Sequence, residues 1–164
     1  MLLRGVDLNK IQLRETLSRI YFPCKINGQS YRVLFDPGSP NTVITVELAK
    51  SLGLQAVGSK AEIRISGSTV PVVPVIIPQI SIGNMVISEV RVLAGLDAKI
   101  WRKTIILGLN VLNYFKYTVD RENDPGYIVL EMNGRAAPRS SDRRKFNHLL
   151  SNTGYYITDE TTPV

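Results

Sequence analysis

From residue 21 to about 132 short apolar-rich runs, separated by turn residues, give a β-like pattern that predicts mostly strands. In "YFPCKINGQSYRVLF" (21–35) two apolar-rich runs flank Asn27-Gly28, a two-residue hairpin signal. The run "NTVI" (41–44) reads as extended. "TVELAKSLGL" then predicts a short helix, with Thr45 as N-cap, Glu47 in the first turn and Gly53 as terminator. "AEIRISGSTVPVV" (61–73) gives two extended arms around a small tip, Ser66-Gly67-Ser68. Further strands follow around Gly83-Asn84, where Pro71, Pro74 and Pro78 point to edges or bends rather than central strands. "KTIILGLNVLNYF" passes from a short apolar strand through Gly108 into a short helix, and "KYTVD" and "YIVLE" close as a hairpin. Strand, turn and short helix thus occur twice, at 31–52 and 104–115, with Asp36 and Asn110 in the two turns. At residues 1–20, Leu8, Ile11, Leu17 and Ile20 have near-helical spacing that Leu13 interrupts, so a short helix and an irregular arm both fit. The expected fold is mostly β: a small closed antiparallel β-barrel with one or two short helices.

Composition narrows the chemistry. The chain has 164 residues, 44% of them hydrophobic and 21% charged, which suits one globular domain. The shift in composition at Asn133 divides it into an N-terminal arm (1–20), a central domain (21–132) and a basic C-terminal tail or extension (133–164). Within the last, "GYYIT" (154–158) is a candidate late strand. One Cys, Cys24, excludes an internal disulfide, and Cys24 with one His, His148, makes a poor metal set. A Ser-His-Asp triad would have to use His148, which lies in a polar basic stretch. No metal and no cofactor are expected. The opening "MLLRGVDLNK" lacks the apolar run of a signal peptide, and no segment approaches the roughly 18 apolar residues of a membrane span. A cytoplasmic or other intracellular setting, away from membranes, is the expectation. The net charge of +6 is partly local. Arg135, Arg139, Arg143, Arg144 and Lys145 face only Asp142 within 134–148, a run that reads as a solvated tail or as an attraction for nucleic acid.

The tripeptide Asp-Pro-Gly occurs at 36–38 and again at 124–126. Asp124 follows "REN", and a solvated type II turn between two strands explains every residue there. Asp36 stands between "YRVLF" and "GSPNTVI", two apolar segments. A carboxylate in that position has to be hydrogen-bonded, paired or protonated. Gly38 lets backbone N–H groups turn toward it, and Ser39 and Thr42 bring hydroxyls nearby.

"VLFDPGSPNTVI" resembles the active-site loop of retropepsin-like aspartic proteases, and "TIILGLNVLNYF" resembles their second apolar-apolar-Gly signature. A glycine-tipped segment lies between, where that family has its flap. The resemblance spans about residues 21–132. It implies that Asp36 is the catalytic acid/base, that Gly38 turns an N–H toward its carboxylate, and that the Ser39 hydroxyl bonds the outer carboxylate oxygen. It also implies that Ser66, Gly67, Ser68 and Thr69 close over substrate and that Gly108 packs beneath the active loop. With one such loop in a chain of this length, it implies a homodimer in which two Asp36 carboxylates share a proton at the axis and activate a water. The substrate implied is an extended peptide or polyprotein.

Pro37 departs from the pattern, in which a Thr or Ser bonds the partner loop through its hydroxyl. Proline has neither hydroxyl nor N–H, so two symmetric hydrogen bonds of about 1 kcal/mol each are missing. Two other readings follow: a weakly active or inactive relative kept for dimerisation or peptide binding, and, with less support, a nucleic-acid-associated protein using 134–148.

Overall fold

The computed structural model describes residues 9–16, 19–65, 67–122, 126–132 and 156–161. Its elements in chain order are β1 (Asn9–Gln12), β2 (Arg14–Thr16), β3 (Arg19–Ile26), β4 (Gln29–Phe35), β5 (Val43–Thr45), α1 (Val46–Ser51), β6 (Ser59–Ile65), β7 (Ser68–Ile82), β8 (Met85–Leu96), α2 (Ala98–Trp101), β9 (Thr104–Leu107), α3 (Leu109–Leu112), β10 (Phe115–Asp120), β11 (Tyr127–Met132) and β12 (Tyr156–Thr161). Strands dominate, as the apolar-rich runs and turn residues predict.

Local chemistry sets most boundaries. Asn27 and Gly28 have φ of 51° and 76°, the left-handed pair that a two-residue hairpin turn requires, and they join β3 to β4. Thr45 caps α1 by accepting a hydrogen bond from Leu48 N at 3.0 Å, and Gly53, at φ 66°, follows its end. Asp97 does the same for α2, its carboxylate accepting from Lys99 N at 2.9 Å. That helical turn goes beyond the one or two helices expected, because four residues are too few to show a helical period.

Residues 9–12 and 14–16 are strand, not helix or irregular arm. Ile11 and Leu13 are both buried, so Leu13, which interrupts a helical face, is the second member of a period-two pair. β1 pairs with β11, and β2 with β3. The three prolines all stand in β7, one long strand that pairs with β6 up to Val72 and with β8 from Val73 onward. Because the pairing changes sides there, neither Pro71 nor Pro74 needs ladder bonds in both directions.

Among the described residues the strands form two sheets, β1-β11-β10 and a larger one in the order β12-β6-β7-β8-β5-β9-β4-β3-β2. The larger sheet curls back on itself where Lys25 of β3 pairs with Ser81 of β7, closing a ring. Most pairings are antiparallel; β4–β9 and β5–β8 are parallel. One apolar cluster, including Phe22, Val33, Ile77, Ile105 and Leu107, extends to Ile11, Leu13, Ile128 and Leu130 and so joins both sheets. Each such fully buried side chain contributes about 1.5–3 kcal/mol. A second cluster, with Leu34, Val43, Ile63, Val72 and Ile106, ties the β6–β7 hairpin to the strands below it. β12, overlapping the expected late strand, lies along the outer edge of β6. The 134–148 run, His148 and Asp124 lie outside the described residues.

Candidate active site

The parallel pair β4–β9 builds the site. In register, Phe35 lies opposite Leu107, so each strand ends at the same level and delivers its turn there. Asp36 N donates to Leu107 O at 3.1 Å, and Ser39 N returns to Asp36 O at 3.0 Å, closing the loop. Gly38 N then donates to Asp36 Oδ1 at 3.0 Å, holding the half-buried carboxylate in place. A Cβ on residue 38 would stand 3.1 Å from that same oxygen, so glycine gives the N–H its approach. Asp36 Oδ2 has no hydrogen bond among the described residues.

Beneath the loop lies a polar cradle. Thr42 is fully buried; its N–H and its hydroxyl both donate to Asn110 Oδ1, at 2.7 and 2.8 Å. The same hydroxyl accepts from Gly108 N at 3.2 Å. Asn110 Nδ2 donates to Arg91 O at 2.8 Å, which carries the cradle across to β8. Leu109 N and Asn110 N donate to Ser39 O and Pro40 O at 2.8 and 3.1 Å. Gly108 packs so tightly below the loop that a Cβ would run into the Asn41 carbonyl. The two strand–turn–helix units visible in the sequence are thus two halves of one structure. One turn carries the acid and the other holds it up.

Two hydroxyls stand elsewhere than expected. The Ser39 hydroxyl donates to Asn41 O at 2.7 Å rather than to the carboxylate, so it stiffens the loop. Thr42 faces the cradle, not Asp36. Asn110, which unites these bonds, was visible in sequence only through its place opposite Asp36 in the echo.

Above the loop stands the β6–β7 hairpin, turning at Gly67 with φ 84°. Between hairpin and loop is a cleft of about 570 Å³. Phe35, Asp36 and Pro37 form part of its floor, and Ile63, Arg64 and Ile65 line it from β6. Ser68 and Thr69 are exposed at the start of β7, and Ser66 lies outside the described residues. The Phe35 ring packs edge-on against Tyr117 of β10 at 4.9 Å between centroids, bracing the residue before the acid. Cys24 lies in the core, where burial pushes its thiol up to about 12 despite a backbone hydrogen bond with Tyr31; such a thiol is no nucleophile near neutrality. Among the described residues no group of three or more His, Cys, Asp or Glu could hold a metal ion. No helix there is long and apolar enough to cross a membrane.

Comparison with known proteins bears on the family and the fold. A family model described as "Aspartyl protease" matches residues 22–111, from β3 through the Gly108 turn into α3. The chain is similar to a retropepsin-like aspartic protease from Rickettsia conorii, at 19% identity, covering 76% of this chain and 92% of that one with a TM-score of 0.53. It is also similar to the retroviral protease-like domain of Ddi1 from Leishmania major, at 15% identity over 77% and 99% of the two chains, with a TM-score of 0.50. At these identities the shared property is the fold. No curated protein sequence matches the chain.

Proposed function

The chain belongs to the aspartyl protease family, and from that premise we propose that it hydrolyses peptide bonds in extended polypeptides, using Asp36 from each of two identical subunits. The observation that carries this reading is the Asp36 carboxylate, tied at one oxygen by Gly38 N–H and set in a cleft that Ile63, Arg64 and Ile65 of the β6–β7 hairpin also line. Among the described residues a single chain offers one acid of this kind. Its second, related turn presents Gly108 and Asn110, both engaged in support. A two-fold axis through the loops supplies the missing partner.

Two carboxylates at such an axis hold one proton between them. The ionised one takes a proton from a water as its oxygen adds to the scissile carbonyl carbon, while the protonated one donates to the carbonyl oxygen. Collapse of the resulting gem-diol breaks the C–N bond and sends a proton to the leaving amine. No metal ion and no covalent enzyme intermediate take part in these steps. Cleavage of a peptide library by the full-length protein at mildly acid pH, compared with Asp36→Asn, tests the proposal. The variant is expected to lose about a thousandfold in rate or more, and a transition-state mimic of aspartic proteases is expected to inhibit the parent. Equal cleavage by both proteins would end it.

One observation favours a second reading. Pro37, in the cleft floor, has no hydroxyl or N–H to bond a partner loop. In that reading the chain is a dimerisation or peptide-binding module of low activity. Peptide binding without Asp36-dependent cleavage would select it.

A further inference from the structure

The cleft is apolar below and cationic at its rim. Leu34, Val43 and Ile106 line it, yet the charged residues around Asp36 are all arginines: Arg19, Arg64 and Arg121. Arg19, at the start of β3, is exposed, and its guanidinium carbon lies 5.5 Å from the Trp101 ring centroid. That contact holds the cation against the wall of the cleft that α2 provides. Arg64 is exposed on β6, between Ile63 and Ile65. Neither Arg19 nor Arg64 has a carboxylate or hydrogen-bond partner among the described residues. Arg32 shows the contrast: it stacks on Tyr21 and donates twice to Thr104 Oγ1, so its charge is committed to the fold.

We propose that Arg19, stacked on Trp101, and Arg64, on the hairpin above, select acidic peptides, those with an apolar residue at the cut and Asp or Glu within two or three residues of it. The inference rests on the cleft being the substrate channel of the proposed protease. Side chains of an extended peptide alternate in direction, so one set meets the apolar floor while the next reaches the arginine rim. Guanidinium groups offer forked donors that match a carboxylate in geometry. A cleft walled by apolar side chains concentrates their field on a bound chain. A second subunit would repeat the pair across the axis.

The test uses the full-length protein and two fluorescent peptides, each with a central Phe, one flanked by Glu and one by Gln. The expected kcat/KM ratio is about tenfold in favour of Glu at low salt, shrinking to near two at high salt as the charges are screened. In Arg19→Glu/Arg64→Glu the ratio is expected to invert. The single changes Arg19→Gln and Arg64→Gln are expected to reduce it by about threefold each. Asp36-dependent cleavage with a ratio near one, unmoved by these substitutions, would overturn the inference and leave the protease reading intact. Binding of both peptides to Asp36→Asn, followed by anisotropy, separates the two failures. If nothing is cleaved but the Glu peptide binds more tightly and the charge reversal weakens it, recognition stands and hydrolysis does not. If binding ignores Arg19 and Arg64, or follows only the overall charge of the chain, the inference fails.

Discussion

Asn110 joins the buried polar groups beneath the Asp36 loop. Its carboxamide accepts two hydrogen bonds from buried Thr42 and donates one to the Arg91 carbonyl. Asn110→Ala would strand two buried donors and a carbonyl. The expected cost is about 3 kcal/mol, since an unpaired buried polar group costs roughly 1–3 kcal/mol. Urea denaturation would measure it, and the peptide library would show a fall in cleavage although Asp36 is untouched. A loss under about 0.5 kcal/mol, the scale of an ordinary surface substitution, would mean that Thr42 finds other partners. Asp36 itself is legible in the sequence because a carboxylate at the end of an apolar strand demands an explanation. The roles of Ser39 and Thr42 are not. A hydroxyl near an acid in sequence can turn either way, and here both turn toward the backbone and the cradle.

At the scale of elements, the β6–β7 hairpin depends on one backbone angle. Gly67 sits at φ 84° with open space around its Cα, so a side chain there meets no neighbour and pays only in conformation. Gly67→Val is therefore expected to cost about 1–2 kcal/mol, the penalty of a left-handed β-branched residue. It should also speed amide exchange across Ile63–Val70 and lower kcat/KM several-fold. Unchanged exchange would show that the tip tolerates another turn. Turn chemistry of this kind is visible in the sequence, as at Asn27-Gly28 and at the Thr45 cap. What escapes it are elements whose character depends on what lies beside them. Residues 9–12 and 14–16 become strands because β11 and β3 offer edges on which to pair, and α2 is one helical turn fixed by Asp97.

For the molecule as a whole, assembly through the active loops turns on Pro37. Pro37→Thr would restore a hydroxyl and an N–H at the proposed axis. The dimer is expected to tighten by about 1–2 kcal/mol, some fivefold to thirtyfold in dissociation constant. Sedimentation across a dilution series measures this. An unchanged or weaker constant would show that the two loops do not meet. The same experiment on the parent protein tests whether it associates at all, on which the paired-acid chemistry depends.

By itself the sequence determined the β-rich class, the main hairpin turns, the capped helix and the singular position of Asp36. These are properties of neighbours along the chain: apolar-rich runs, turn residues and a charge at the end of one such run. Only the tertiary structure decided that Asn110 ties together the cradle under the acid, that arginines from distant strands share its cleft, and that β3 meets β7 to close the ring. Those relations join residues far apart in sequence. They depend on strand register and on which faces pack together, which no local pattern encodes.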